Sequence, residues 1–141
     1  MRYRIELATK REEMKNITQD VRECICRSGI KDGICTVFCP HTTAGITINE
    51  NADPDVVTDL LLALRKTYPD RAEFRHVEGN SAAHLKASVI GASETILIAD
   101  GRPLLGTWQG IYFCEFDGPR HRTCYIDVRG DKEESSCTPT N

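Results

Sequence analysis

Polar and apolar residues alternate at the start of the chain. Tyr3, Ile5 and Leu7 fall on one side and Arg2, Arg4 and Glu6 on the other, which predicts a half-buried strand over 2–7. After a polar stretch the period changes. Ile17, Val21, Cys24 and Ile25 recur at helical spacing, with Thr18 placed to cap and Gly29 to close, so a helix is expected near 18–28. Lys31-Asp32-Gly33 reads as a turn into the apolar run Ile34–Cys39, and a second strand, Ala44–Ile48, follows Pro40-His41-Thr42-Thr43. Asp53-Pro54 opens a helix, because Asp accepts from first-turn N–H groups and Pro suits a position that needs no donor. Val57, Leu60, Leu61 and Leu64 give that helix a core-facing stripe, which stops before Tyr68-Pro69. Residues 70–80 are polar. Ser81 then caps a short helix that carries His84 in its first turn, reaches Ile90 and is closed by Gly91. The rest is strand-like: Thr95–Ala99, an Asp100-Gly101 turn, Leu104-Leu105, Ile111–Phe116, a turn at Asp117-Gly118-Pro119, and the alternating Arg122–Val128. From Gly130 onward there is no apolar periodicity to bury. A single domain over 1–129 is expected, followed by a disordered tail over 130–141.

The pattern is that of an α+β domain with antiparallel sheet and about three helices. Its 141 residues, 40% hydrophobic and 28% charged, suit one domain able to hide roughly two-thirds of its unfolded surface. A formal net charge of −3 gives no reason to expect nucleic acid or an anionic membrane as partner, which points to a small molecule. No run approaches the roughly 20 apolar residues that span a bilayer. The N-terminus alternates instead of forming a signal-peptide core, and a cytoplasmic setting is expected. Seven scattered cysteines form no paired CxxC modules, and several lie in apolar runs where a thiol behaves as a small hydrophobe.

Polar residues collect at three junctions between predicted elements: 41–43 leading to 49–53, 76–84, and 106–110 with 120–122 beyond. His41, His76 and His84 are of the right type for a divalent cation, three ligands with one open position being the arrangement of a catalytic metal. Their spacing forms no local motif such as HExxH. On spacing alone the plainer account, three surface or capping histidines, is the stronger. Glu50 has no evident structural duty and is the better general-base candidate, while Asp53 is first a helix cap. Arg102, Arg120 and Arg122 lie at hairpin turns, and an arginine fork matches phosphate or carboxylate. Cys39 and His41 share a face in an extended segment, but a buried inert thiol is the commoner case.

The run His41-Thr42-Thr43-Ala44-Gly45-Ile46-Thr47-Ile48-Asn49-Glu50-Asn51-Ala52-Asp53-Pro54 resembles the signature of the YjbQ-like family, often called the secondary thiamine-phosphate synthase family. His76 with Glu78-Gly79-Asn80, His84-Leu85-Lys86-Ala87-Ser88 with Gly91, Asp100-Gly101-Arg102 and residues 105–111 match it in order, so the resemblance spans about residues 3–129. It implies antiparallel, sandwich-like sheets with helices on the flank, assembled as a homotrimer with the histidines near a subunit boundary. It also implies a divalent metal on His41, His76 and His84, zinc foremost, with nickel, manganese or magnesium as alternatives. The implied activity joins hydroxymethylpyrimidine diphosphate to a thiazole phosphate and releases diphosphate. In that reading Glu50 and Arg120 are catalytic, and Asn49, Asp53, Asn80, Thr107, Trp108 and Gln109 bind the phosphorylated substrate. A metal-dependent hydrolase or lyase, or a trimer that only binds a metal or metabolite, would share the same site.

Overall fold

The structure, a computed structural model, describes residues 1–132 of the chain. Eight strands and three helices follow in the order β1 (Arg2–Ala8), β2 (Glu13–Asn16), α1 (Thr18–Ser28), β3 (Ile30–Phe38), β4 (Ala44–Glu50), α2 (Pro54–Thr67), α3 (Ser81–Ile90), β5 (Ser93–Ala99), β6 (Arg102–Pro103), β7 (Gln109–Glu115) and β8 (His121–Lys132). They build a five-stranded sheet in the order β1-β8-β3-β5-β6 and a three-stranded sheet in the order β2-β7-β4. Every pairing is antiparallel.

The alternation along the strands explains the layers. Cys35, Val37, Cys124, Ile126 and Val128 of the large sheet face Ile46, Ile111 and Phe113 of the small one, and α1 adds Val21, Cys24 and Ile25 to this core. Each such fully buried aliphatic or aromatic side chain stabilises the fold by about 1.5–3 kcal/mol. The other face of the small sheet, with Tyr112, Cys114 and Phe116, is covered by Ala83 and Ala87 of α3 and by Val57, Leu61 and Leu64 of α2. The α+β sandwich with flanking helices is therefore as expected. The α2 stripe reaches less deeply than its periodicity implied: none of its residues is fully buried, because the helix lies on the outside of a narrow sheet.

Several local expectations need correction. Strand β2 falls in the segment read as merely polar. Neither Thr18 nor Ser81 is an N-cap. The cap positions are Ile17 and Asn80, and Asn16 Oδ1 accepts from the backbone N and hydroxyl of Thr18 at 3.0 and 2.6 Å. Lys31-Asp32-Gly33 is no turn but part of β3, with a register shift between Ile30 and Asp32. Gly33 is needed there for closeness, since a Cβ would meet the carbonyl oxygen of Arg129 at 2.0 Å. Its partner Gly130, with Asp131 and Lys132, continues β8 and pairs with β3, so the expected tail begins three residues too early. The rest of the tail, 133–141, lies outside the described residues. Asp53 does cap α2, accepting from Asp55 N at 2.9 Å. Among the described residues no helix is long and apolar enough to cross a membrane.

Candidate functional site

Three chain segments converge beside the start of β4. The first is the connection from β3 to β4. Cys39 N donates to Ala92 O at 2.8 Å and Phe116 N donates to Thr43 O at 3.1 Å, so both ends of the segment that carries His41 are fixed. The amide of Thr123 donates to His41 Nε2 at 2.9 Å, which puts the proton of the neutral ring on Nδ1. Burial, with the Arg122 guanidinium adding to it, holds His41 below its ordinary pKa and favours the neutral form.

The second segment is the turn before α3. Gly79 N donates to His76 O at 3.1 Å, and Gly79 takes the left-handed φ of 72° that such a tight turn requires. The turn brings His76 back over the first turn of α3, where its ring meets His84 edge to face, 5.4 Å between centroids. Glu78 Oε2 stands 3.9 Å from His76 Nε2. The third segment is the β7–β8 turn. A Cβ on Gly118 would strike the carbonyl oxygen of Lys10 at 2.0 Å, so only glycine permits this approach, and the Gly118-Pro119 peptide is cis. Arg120 follows, tied at its backbone by Thr9 N at 2.9 Å and by its own N–H to Thr9 Oγ1 at 3.1 Å.

Beneath them lies a buried ion pair. Arg122 donates from Nε and Nη2 to the two oxygens of Glu115 at 2.7 and 2.6 Å, and from Nη2 to Thr43 Oγ1 at 2.7 Å. Glu115 also accepts from Thr9 Oγ1 at 2.8 Å and Asp117 N at 2.9 Å, so a carboxylate with no solvent exposure is fully bonded. Burial alone would raise the Glu115 carboxyl; the Arg122 fork and these other donors outweigh it and hold it below the usual range. Asp117 shows the same balance, with Asn80 and Arg120 as the donors that outweigh burial.

Together the segments enclose a cavity of about 420 Å³ onto which His41, His76, His84, Asn80 and Arg120 open. Among the described residues no three His, Cys, Asp or Glu side chains already stand as a cation cluster. The donor set still fits one. Two imidazoles on one tetrahedral zinc, with Zn–N of about 2.0–2.1 Å, have centroids roughly 5 Å apart, close to the His76–His84 spacing. His41 Nε2 also lies 3.2 Å from Thr123 O, so the other tautomer can donate there and leave Nδ1 as a ligand.

Of the residues expected at the site, His41, His76, His84, Asn80 and Arg120 meet here. Glu50, Asn49, Asp53, Thr107, Trp108 and Gln109 do not line this cavity. Glu50 pairs with Gln109 and Asn49 with Gly110 at one end of the β4–β7 ladder, whereas Ala44, next to the cavity, pairs with Glu115 at the other. Six steps of about 3.3 Å separate the ends by roughly 20 Å, so within one chain Glu50 is no base for the histidine pocket. Cys39 is no nucleophile either: it is buried, and burial pushes its thiol up to about 11. Glu115, Asp117, Thr43 and Glu78 were not anticipated. The signal for Glu115 was a lone acidic residue inside the apolar run of β7.

The whole described domain has well-matched relatives. The family model of the UPF0047 protein YjbQ-like family matches residues 3–131. The UPF0047 protein YugU of Bacillus subtilis is 58% identical over 123 residues, 86% of this chain and 93% of that protein. The UPF0047 protein MJ1081 of Methanocaldococcus jannaschii is 53% identical over 133 residues, 94% and 96% of the two chains. Among solved structures, an uncharacterized conserved protein of the same family from Clostridium acetobutylicum superposes with a TM-score of 0.85 at 50% identity, covering 92% of this chain and 99% of that one. The hypothetical protein APE1520 from Aeropyrum pernix gives a TM-score of 0.88 at 34% identity, covering 93% and 99%. A match over nearly the full described length, at such identity and with the same fold, means that this chain belongs to the UPF0047, YjbQ-like family.

Proposed function

We propose that this protein is a cytoplasmic enzyme acting on a small phosphorylated molecule in the histidine cavity, with a divalent metal, zinc foremost, held by His41, His76 and His84. The observation that carries this reading is the convergence of three histidines and Arg120, from three separate chain segments, on one polar cavity above a fully bonded ion pair. When bound, the ion would supply positive charge against developing negative charge on a phosphoryl or leaving-group oxygen. The chain's own residues do the rest. Arg120 faces the anionic group of the substrate, Asn80 offers its amide beside it, and the Glu115–Arg122 pair keeps the His41–Thr43 segment in place. Glu78, whose carboxylate stands 3.9 Å from His76 Nε2, takes the general-base place expected of Glu50.

In specific form the reaction is the one the family resemblance implies: union of hydroxymethylpyrimidine diphosphate with a thiazole phosphate and departure of diphosphate, whose growing charge Arg120 would meet. We further propose a homotrimer. The outer face of the five-stranded sheet speaks for a covering partner, with Ile34, Phe38 and Leu97 exposed at 41%, 43% and 59%. The test incubates the purified protein with both substrates and each of several divalent metals, and follows diphosphate release and thiamine phosphate. Joint appearance of both products, abolished in His84→Ala, supports the synthase. Phosphate release without the second substrate would point to a hydrolase, and metal binding with no turnover to a binding protein.

A further inference from the structure

Asp117 stands where two walls of the cavity meet, and one of its oxygens does two jobs. Oδ2 accepts from Asn80 Nδ2 at 2.9 Å and from Arg120 Nη2 at 3.1 Å, while its backbone carbonyl accepts from Arg120 Nε at 2.7 Å. Asp117 itself is anchored from below, since its N–H donates to the buried carboxylate of Glu115. The geometry assigns Asp117 the role of positioning residue for an oxyanion site: it locks Arg120 along the Nε–Nη2 side and leaves the Nη1–Nη2 end of the guanidinium to grip a phosphoryl group end-on. This rests on the proposed reading of the cavity as a site for phosphorylated molecules, and it adds which edge of which residue does the gripping and what holds it there.

Three features support the assignment. A guanidinium offers two parallel pairs of N–H donors, and an oxyanion is matched by either pair. Here the side-on pair is consumed within the chain, so the end-on pair is pre-oriented without the rotamer loss that a free surface arginine suffers on binding. The backbone of Arg120 is itself pinned on both sides by Thr9, so the side chain cannot drift with its loop. Asn80 is fixed by the same oxygen. With Nδ2 turned to a carboxylate, its Oδ1 must point the other way, and that atom is buried with no partner. The helix-cap position it occupies does not use it, since Asn80 makes no side-chain cap bond. The cavity therefore presents fixed donors from Arg120, beside an Asn80 whose amide nitrogen is held by the same carboxylate oxygen.

A positioning role and a plain charge predict opposite signs. If Asp117 were only a nearby negative charge, its removal would strengthen anion binding. If it positions Arg120, removal weakens binding although a negative charge is lost. Because a single oxygen takes both side-chain bonds, an amide can replace the carboxylate, and Asp117→Asn should rescue. The measurement is titration of the full-length protein with inorganic phosphate and with diphosphate, followed by calorimetry, with melting temperature and metal content recorded for each variant. Wild type and Asp117→Asn should bind alike, Asp117→Ala about tenfold more weakly, and Arg120→Lys at least as weakly as Asp117→Ala, the scale of one lost charge-assisted hydrogen bond. Should Asp117→Ala prove unstable, Asp117→Asn alone still separates the two readings, because a lock predicts binding like wild type and a plain charge predicts tighter binding, which would overturn the assignment. Equal or tighter binding by a folded Asp117→Ala, or unchanged binding by Arg120→Lys, overturns the assignment. Phosphate binding without any turnover would sink the enzymatic reading and leave this one standing.

Discussion

Arg122 gives both halves of its side-on fork to Glu115, and a third bond to Thr43, at a place where both charged groups are buried. Removing one partner of such a pair leaves an uncompensated buried charge, which costs about 3–5 kcal/mol. Arg122→Ala should therefore lose that much stability in denaturant unfolding and release the His41–Thr43 segment; a loss within the roughly 0.5 kcal/mol of an ordinary surface change would contradict the account. The same groups set an acid limb. The Arg122 fork and its other donors hold the Glu115 carboxyl below its ordinary 4.5 in the folded chain, so its contribution is fully present above that pH and is lost as pH falls through the folded value. His41, held below 6.5, adds in the same direction, because the unfolded chain takes up a proton first. For these groups the melting temperature should stay level above pH 6.5, decline below it and decline faster below 4.5. A maximum in acid would show that the two groups are misread. The histidines were legible as candidates because each sits in its own motif. The Glu115–Arg122 pair was not, since nothing local says that a strand glutamate and an arginine seven residues on, in strands of two different sheets, will face each other between the layers. Glu50 shows the complementary case: a carboxylate with no evident structural duty says nothing about which end of the ladder it occupies.

At the scale of elements, β3 and β8 lie so close at Gly33 and Gly130 that a methyl group at either would strike the opposite backbone. Gly33→Ala must push the strands apart and should destabilise by about 1–3 kcal/mol, the usual cost of overpacking. A neutral effect would mean that the register near Ile30 and Asp32 differs from the one described. The chain's end gives a second check on the same pairing. Truncation after Arg129 removes the three residues that extend the ladder and should lower the melting temperature by several degrees relative to truncation after Lys132. Strands with clean alternation and the Asp53-Pro54 helix start were readable from sequence, because period and cap chemistry are local. Lys31-Asp32-Gly33 was not. A glycine placed for close strand approach and a glycine placed for a turn look alike until the partner strand is known.

For the whole molecule, antiparallel sheet and three helices follow from the spacing of apolar residues, while the division into two sheets and the way in which distant segments meet follow only from the strand order. The outer face of the large sheet keeps Ile34, Phe38 and Leu97 exposed, so a homotrimer is the proposed assembly and light scattering coupled to size exclusion checks it. A monomer at micromolar concentration would leave that face unexplained. The central claim is that His41, His76 and His84 act together on one divalent ion. It is tested most directly by elemental analysis of the purified wild type beside His41→Ala, His76→Ala, His84→Ala and His121→Ala, the last a histidine outside the cavity. The account predicts close to one ion per chain in wild type and in His121→Ala, with most of it lost in each of the other three. Full metal content in all three cavity variants, or no metal in wild type after supply of zinc, nickel or manganese, would contradict it.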